Sequence, residues 1–130
     1  MNETETVGPD LDPARARGVM NPAVVDLIEL DQERGEVVLV MLEPRPWSEA
    51  EDQIDQLEAK LNSYLAYVFT QGLARDYPQY ADKTVRFQLE CAAPPGLTEE
   101  YFLAAARKHC EADGVHFVWK VQNSQELAQR

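Results

Sequence analysis

The chain has 130 residues, of which 45% are hydrophobic and 27% charged, the size and composition of one globular domain. Its 23 acidic residues outnumber the 12 lysines and arginines, so the formal net charge is −11 at pH 7. Such a surface repels phosphate backbones, and we therefore expect no nucleic acid among its partners. The same charge would steer a basic partner toward the chain.

The compartment is predicted from the N-terminal residues and the cysteines. The segment Met1–Glu5 lacks the basic and apolar regions of a signal peptide, and no apolar run approaches the roughly 20 residues that span a bilayer. We therefore expect a cytoplasmic protein without membrane contact. Cys91 and Cys110 are then expected to be free thiols.

Composition divides the chain into three parts. Residues 1–21 carry Gly8, Pro9, Pro13 and Gly18 with little apolar content, which predicts a flexible N-terminal arm. Residues 22–122 are predicted to form a single α+β domain. Residues 123–130 are predicted to form a polar C-terminal tail that frays or adds a short turn.

A β-hairpin is the first predicted element. Residues 24–30 read as a strand, residues 31–35 as a turn in which Gly35 is free to take a positive φ, and residues 37–42 as the second strand. The second strand is apolar at every position, so both of its faces are expected to be buried.

The remaining pattern predicts two helices and two further strands. A helix is predicted over 48–71, with Ser48 as N-cap, Glu51 completing a capping box and Gly72 as the stop. Apolar and polar residues alternate over 85–91, which predicts a half-buried strand. Thr98 is the predicted N-cap of a second helix, which ends at Gly114. The same alternation over residues 115–121 predicts the last strand. The order ββαβαβ predicts a two-layer sandwich in which two helices cover a four-stranded mixed sheet. The order of the strands within the sheet stays open.

Several segments together resemble an uncharacterised family of small bacterial proteins. They are residues 25–28, 35–41, 45–47, 77–80 and 85–89. The resemblance covers about residues 22–121 and implies a stand-alone domain of bacterial, cytoplasmic origin. It implies no activity, so no catalytic residue is carried over from it.

The segment Glu43–Trp47 is the most distinctive local feature. An exposed Trp47 and Arg45 beside a rigid turn would hold an anion or a peptide. Alternatively, Trp47 packs against the first turn of the helix and Arg45 pairs with a nearby carboxylate.

Four tyrosines cluster in sequence around the end of the long helix and its loop, namely Tyr64, Tyr67, Tyr77 and Tyr80. They would line a pocket for a small molecule. Alternatively, they close one end of the core with their hydroxyl groups in water.

The cysteines and histidines invite a metal or nucleophile interpretation that their spacing disfavours. His109 and Cys110 are adjacent on a helix and point about 100° apart, while Cys91 and His116 alternate onto opposite faces of their strands. We therefore predict no metal site, no cofactor and no catalytic residue, although an enzyme is not ruled out by the sequence.

The acidic residues have two interpretations. Glu49, Glu51, Asp52, Asp55 and Glu58 form a stripe that is either a solvated helix face or a docking surface for a basic protein. Asp26 is the one acid inside the first strand and is interpreted as an edge charge that prevents sheet-to-sheet aggregation. No second titratable group beside it is identifiable.

The first hairpin is apolar on both faces, whereas the two helices cover only one. Its second face is expected to be covered by the N-terminal arm, the C-terminal tail or a second copy of the chain. We predict a homodimer built partly on that face.

Two classes of function remain open. The first is a small acidic protein-interaction or accessory protein. The second is a small-ligand-binding domain that uses the tyrosine-rich loop and Trp47, so the candidate contact residues are Arg45, Trp47, Tyr67, Tyr77 and Tyr80.

Overall fold

The centre of the fold is a four-stranded mixed sheet. A computed structural model describes residues 16–47 and 52–130 of the chain. The strands are β1 (Leu27–Asp31), β2 (Glu36–Glu43), β3 (Thr84–Cys91) and β4 (His116–Val121). They lie in the order β1-β2-β3-β4, with β1 and β2 antiparallel and the two other pairs parallel. The predicted α+β class and four-stranded mixed sheet are confirmed.

Four α-helices accompany the sheet in the part of the chain described. They are α1 (Gln53–Phe69), α2 (Gly72–Asp76), α3 (Leu97–Ala112) and α4 (Ser124–Ala128), and a 3₁₀ turn spans Pro78–Tyr80. The predicted order ββαβαβ omitted α2 and α4. Each has only five residues, which is too short for a helical hydrophobic period to repeat.

The main core lies between the sheet and the helices α1 and α3. Both helices join neighbouring parallel strands and carry the chain in the same direction across the sheet, so right-handed crossovers place them on one face. Buried side chains from β2, β3 and β4 meet buried side chains from both helices there: Val37, Leu39, Met41, Phe87, Leu89 and Phe117 meet Leu57, Leu61 and Leu103.

The opposite face of the sheet is covered in part by α4. Val38, Val40 and Leu42 of β2 point to this face and pack with Leu127 of α4. All eight residues of β2 are buried, as its apolar run predicted. The cover on this part of the face is therefore the C-terminal tail, one of the three covers that the sequence left open.

Strand β1 begins at Leu27, three residues later than predicted. The side chain of Asp26 takes the place of a strand partner, because its Oδ2 accepts a hydrogen bond from the backbone nitrogen of Leu42 at 2.9 Å. The backbone nitrogen of Asp26 in turn donates to the hydroxyl of Tyr64. Side-chain hydrogen bonds thus replace the β-ladder at this end of the hairpin.

The ends of the long helices also differ from the prediction. Ser48 and Glu51, the predicted capping box, lie outside the described residues. Helix α1 ends at Phe69 rather than residue 71, and Gln71, not Gly72, adopts the left-handed conformation, with φ of 69°. In α3 the N-cap is Gly96 rather than Thr98, and its backbone nitrogen is bound by Glu99.

The predicted N-terminal arm is described only from residue 16 onward. Val19 is 1% exposed in the main core, and its backbone nitrogen donates to the carbonyl of Leu42. The folded part of the chain therefore begins before residue 22.

Candidate functional site

An open groove runs beside β1 and is walled by three tyrosines. Its volume is about 680 Å³. One side is the chain leading into and through the start of β1, and the other comes from the end of α1, from α2 and from the 3₁₀ turn. The lining residues are Val25, Asp26, Leu27, Ile28, Tyr67, Asp76, Tyr77 and Tyr80, and we call this the tyrosine groove.

The tyrosine rings are held in place by stacking and by one hydrogen bond. The rings of Tyr77 and Tyr80 stack with centroids 5.8 Å apart and planes at 18°. The hydroxyl of Tyr67 donates to Asp76 at 3.0 Å. The wall of the groove is consequently aromatic, with one carboxylate among the phenol groups.

Gly72 allows the Tyr67 ring to lie where it does. A Cβ atom on Gly72 would stand 2.6 Å from Cδ1 of Tyr67, inside van der Waals contact. Burial, with the hydrogen bond to Asp76 as a lesser cause, raises the pKa of Tyr67 to about 12. The phenol of Tyr67 therefore stays uncharged at neutral pH and can donate to Asp76.

Strand β1 gives the groove a backbone edge. Because β1 is the terminal strand of the sheet, no neighbour in the described chain pairs with its outer side. Alternate N–H and C=O groups of such a strand point outward and are free to bind an added strand. The tyrosine groove thus combines aromatic walls with a strand edge.

A buried ion pair lies behind the groove. Nζ of Lys60 is 2.8 Å from Oδ1 of Asp26, and both side chains are fully buried. Lys60 also donates to the carbonyls of Asn21 and Val24, and Asp26 accepts from the backbone nitrogen of Gly18. The pair ties the loop before β1 to helix α1.

Tyr64 completes this buried network. Its hydroxyl donates to the carbonyl of Val40 at 2.6 Å and accepts from the backbone nitrogen of Asp26. Burial raises the pKa of Tyr64, and desolvation lowers that of Lys60 against the opposing effect of Asp26. The network is closed within the protein, so its geometry suits a structural role.

Residues 18–123 match the profile of DUF6572, a family of unknown function. The chain belongs to DUF6572. No curated protein and no solved structure matches it. The family match agrees with the resemblance seen in the sequence, and it brings no activity with it.

The structure separates Arg45 and Trp47 from the tyrosines in this DUF6572 chain. Arg45 binds the buried carboxylate of Glu43 through Nε and Nη2, at 2.9 and 2.8 Å, and also reaches Gln56. Trp47 is 8% exposed, belongs to the main core and donates from Nε1 to the carbonyl of Ala93. Neither residue lines the tyrosine groove.

Three of the four predicted tyrosines come together. Tyr67, Tyr77 and Tyr80 share the groove, whereas Tyr64 is 1% exposed inside the buried network. The expectation that its hydroxyl lies in water is wrong. Its position on the inner face of α1, between core leucines and the β1 loop, takes it away from the surface.

The interpretation of Asp26 as an edge charge is also wrong. Asp26 is 4% exposed and is paired with Lys60, the titratable neighbour that sequence reasoning missed. Lys60 follows Leu57 by three residues and precedes Tyr64 by four, and this helical spacing placed it on the buried face. This spacing is the feature of the sequence that could have identified Lys60 as a buried residue.

The two cysteines are buried, and no cluster of metal-binding side chains is found among the described residues. No group of three or more histidine, cysteine, aspartate and glutamate residues in this part of the chain is placed to hold a metal ion. Cys91 and Cys110 are free and buried, and burial raises the pKa of each thiol to about 11. Both thiols are protonated at neutral pH and are poor nucleophiles.

A charged network on the second face of the sheet was not foreseen. Arg86 binds Asp31 and Glu36, while Arg130 binds Glu29 and Glu90. A cleft of about 340 Å³ opens between the two arginines. Each guanidinium is shared by two carboxylates, although Nε of Arg86 is buried without a hydrogen-bond partner.

The structure describes only part of the acidic stripe. Glu49 and Glu51 lie outside the described residues, while Asp52, Asp55 and Glu58 are exposed.

Within residues 16–47 and 52–130, no helix has the length and hydropathy needed to cross a bilayer.

Proposed function

We propose that this DUF6572 chain is a protein-interaction module whose tyrosine groove binds an extended, basic segment of another protein. The observation that carries the proposal is the meeting of an aromatic-walled groove of about 680 Å³ with the outer edge of β1, which no strand within residues 16–47 and 52–130 pairs. A peptide that adds a strand to a sheet edge gains affinity from backbone hydrogen bonds and specificity from adjacent side-chain pockets.

Charge favours a basic occupant. The chain has a net charge of −11, and Asp76, an exposed carboxylate that also pairs with Arg75, lies in the groove wall. Stacked Tyr77 and Tyr80 also offer ring faces on which an arginine or lysine of the peptide would pack. The expected partner therefore presents a strand-forming segment with one or more arginines or lysines.

Phage display of random 12-residue peptides tests this proposal. The selected peptides are expected to be net positive and to bind less tightly as salt is raised, because screening weakens exposed charge pairs. The double variant Tyr77→Ala/Tyr80→Ala should weaken their binding at least about tenfold, a loss of about 1.4 kcal/mol. Backbone amide NMR shifts on binding should concentrate in Leu27–Asp31.

The matched control is Tyr101→Ala. Tyr101 is 82% exposed on α3, away from the tyrosine groove, so its removal should leave peptide affinity unchanged. Selection of acidic peptides, or equal affinity for the double variant and the control, would refute the proposed site.

A small planar ligand is the second candidate for the same groove. The volume lies within the usual range for small-molecule pockets, about 300–1,000 Å³. The buried position of Trp47 removes it from this candidate. A fragment screen followed by NMR separates the two functions, since only a small-ligand site would show saturable shifts around Tyr77 and Tyr80 without shifts along β1.

A further inference from the structure

The face of the sheet beneath α4 is a compact apolar surface with one buried charge. Its floor is Val38, Val40 and Leu42, which are 2%, 0% and 7% exposed. Beside the floor lies Glu90, whose side chain is fully buried. We call these four residues the α4 seat.

Two side chains fix α4 on this seat. Leu127 is 5% exposed and packs on the apolar floor. Arg130 forms a two-point contact with Glu90, from Nε at 2.9 Å and Nη2 at 3.0 Å, and its Nη1 reaches Glu29 at 2.8 Å. Among the described residues, Arg130 is the one cation paired with Glu90.

The remainder of α4 makes little contact with the seat. Ser124, Gln125, Glu126, Ala128 and Gln129 are all exposed. A five-residue helix has no independent stability in water, so α4 owes its conformation to its N-terminal cap and to the seat. The contact thus depends on Leu127 and Arg130, three residues apart, and the carbonyl oxygen of Arg130 also accepts a hydrogen bond from Nη2 of Arg17 at 2.6 Å.

Only two residues, Gln122 and Asn123, connect α4 to β4. The segment from 123 to 130 can therefore leave the seat by changing the backbone at this hinge, while the four strands stay paired. Leaving the seat would uncover three apolar side chains and would leave the buried carboxylate of Glu90 bound to the neutral amide of Gln88 but to no cation among the described residues. An equivalent segment must then cover them.

We propose that the α4 seat receives residues 123–130 of a second copy of this chain, and that two copies exchange these segments to form a dimer. Each copy carries both the seat and the segment that fits it, with a leucine for the floor and an arginine for Glu90. Exchange keeps every contact of the closed chain, and the partner supplies Leu127 and Arg130 to the site.

The concentration of the protein determines the ratio of the closed monomer to the dimer with exchanged segments. A segment tethered by a short hinge competes with an effective concentration of about 1 mM, so dimers should become a substantial fraction as the protein approaches that concentration. Light scattering coupled to size exclusion, with the full chain loaded from about 10 µM to 1 mM, measures this fraction.

The variant Leu127→Asp tests the seat directly. The aspartate cannot bury in the apolar floor, so this full-length variant should stay monomeric across the same range. The control Gln125→Asp adds the same charge on the exposed side of α4 and should dimerise like the unmodified chain. A chain that stays monomeric at every concentration, or a dimer that persists in Leu127→Asp, overturns the proposal.

A labelled peptide of residues 122–130 gives a second measurement. By fluorescence anisotropy, it should bind the full-length Leu127→Asp variant, whose seat is free, at least about tenfold more tightly than the unmodified chain. A peptide that itself carries Leu127→Asp should not bind. Equal binding of both peptides would show that the seat does not recognise this segment.

Discussion

Asp26 and Lys60 hold the loop before β1 to helix α1 through charges that are out of contact with water. Besides Lys60, the aspartate accepts two backbone N–H groups, and besides Asp26, the ammonium donates to two carbonyl oxygens. A buried ion pair is stable only when such additional hydrogen bonds replace those that both charged groups would make with water. The same loop forms one side of the tyrosine groove, so the pair also sets the position of that wall.

Removal of either partner should destabilise the fold strongly. Asp26→Ala or Lys60→Met would leave the other charge buried and uncompensated, and we expect each to lower the free energy of unfolding by about 3–5 kcal/mol. Urea denaturation followed by circular dichroism measures the loss. Asp55→Ala, at an exposed position of α1, is the matched control and should cost less than about 0.5 kcal/mol.

The residues of the candidate site were only partly predictable. Tyr67, Tyr77 and Tyr80 were foreseen because they stand close together in sequence, in and after one helix. Their relation to the edge of β1 was not, because it depends on the strand order, which the hydrophobic pattern leaves undetermined. Lys60 was missed because a lysine on a helix is ordinarily exposed.

The junction between α1 and α2 shows how an element boundary is set by two constraints. Gln71 takes the left-handed conformation that turns the chain, although it carries a Cβ atom. Gly72, the residue best suited to that conformation, is instead required for the close approach of Tyr67. The glycine in the sequence therefore marks a position one residue after the residue that makes the turn.

Gln71→Gly should stabilise the chain. Glycine adopts a positive φ without the Cβ clash, so we expect the free energy of unfolding to rise by about 1 kcal/mol, offset in part by the greater freedom of the unfolded chain. Thermal and urea unfolding measure the change. Gly35 already occupies the equivalent conformation in the hairpin turn. A decrease in stability for Gln71→Gly would show that the glutamine makes a compensating contact.

Elements with a long repeating pattern were the predictable ones. The strands β2 and β3 and the inner faces of α1 and α3 follow from runs of eight or more residues. The short helix α4 has a single buried residue, Leu127, and one residue carries no period. For this reason the sequence leaves three alternatives for the segment that covers the second face of the sheet.

For the whole molecule, alkaline pH should weaken the fold through its buried tyrosines. Tyr67 has a pKa of about 12 in the folded chain against 10 when exposed, and burial raises the pKa of Tyr64 as well. A raised pKa means that the stabilising contribution is complete below pH 10 and is lost as the pH rises through the folded value. Stability should therefore fall between about pH 10 and 12.

Absorbance at 295 nm, which follows tyrosinate formation, measures this directly. Tyr64 and Tyr67 should titrate late, together with unfolding. Tyr67→Phe should remove one late-titrating group and make the loss of stability above pH 10 less steep. If Tyr64 and Tyr67 ionise near pH 10 while the fold remains intact, the burial of the two rings is wrong.

Strand β2 is fully buried in the folded chain but lacks its partner β3 while the chain is being synthesised. Six consecutive apolar residues, Val37–Leu42, leave the ribosome long before their parallel neighbour β3, which begins at Thr84. Until then only β1 can pair with the strand, and its other edge resembles the segments that nucleate cross-β aggregates. The nascent chain is thus most vulnerable during the synthesis of α1 and α2, and a folding helper that shields one strand edge would protect it in that interval.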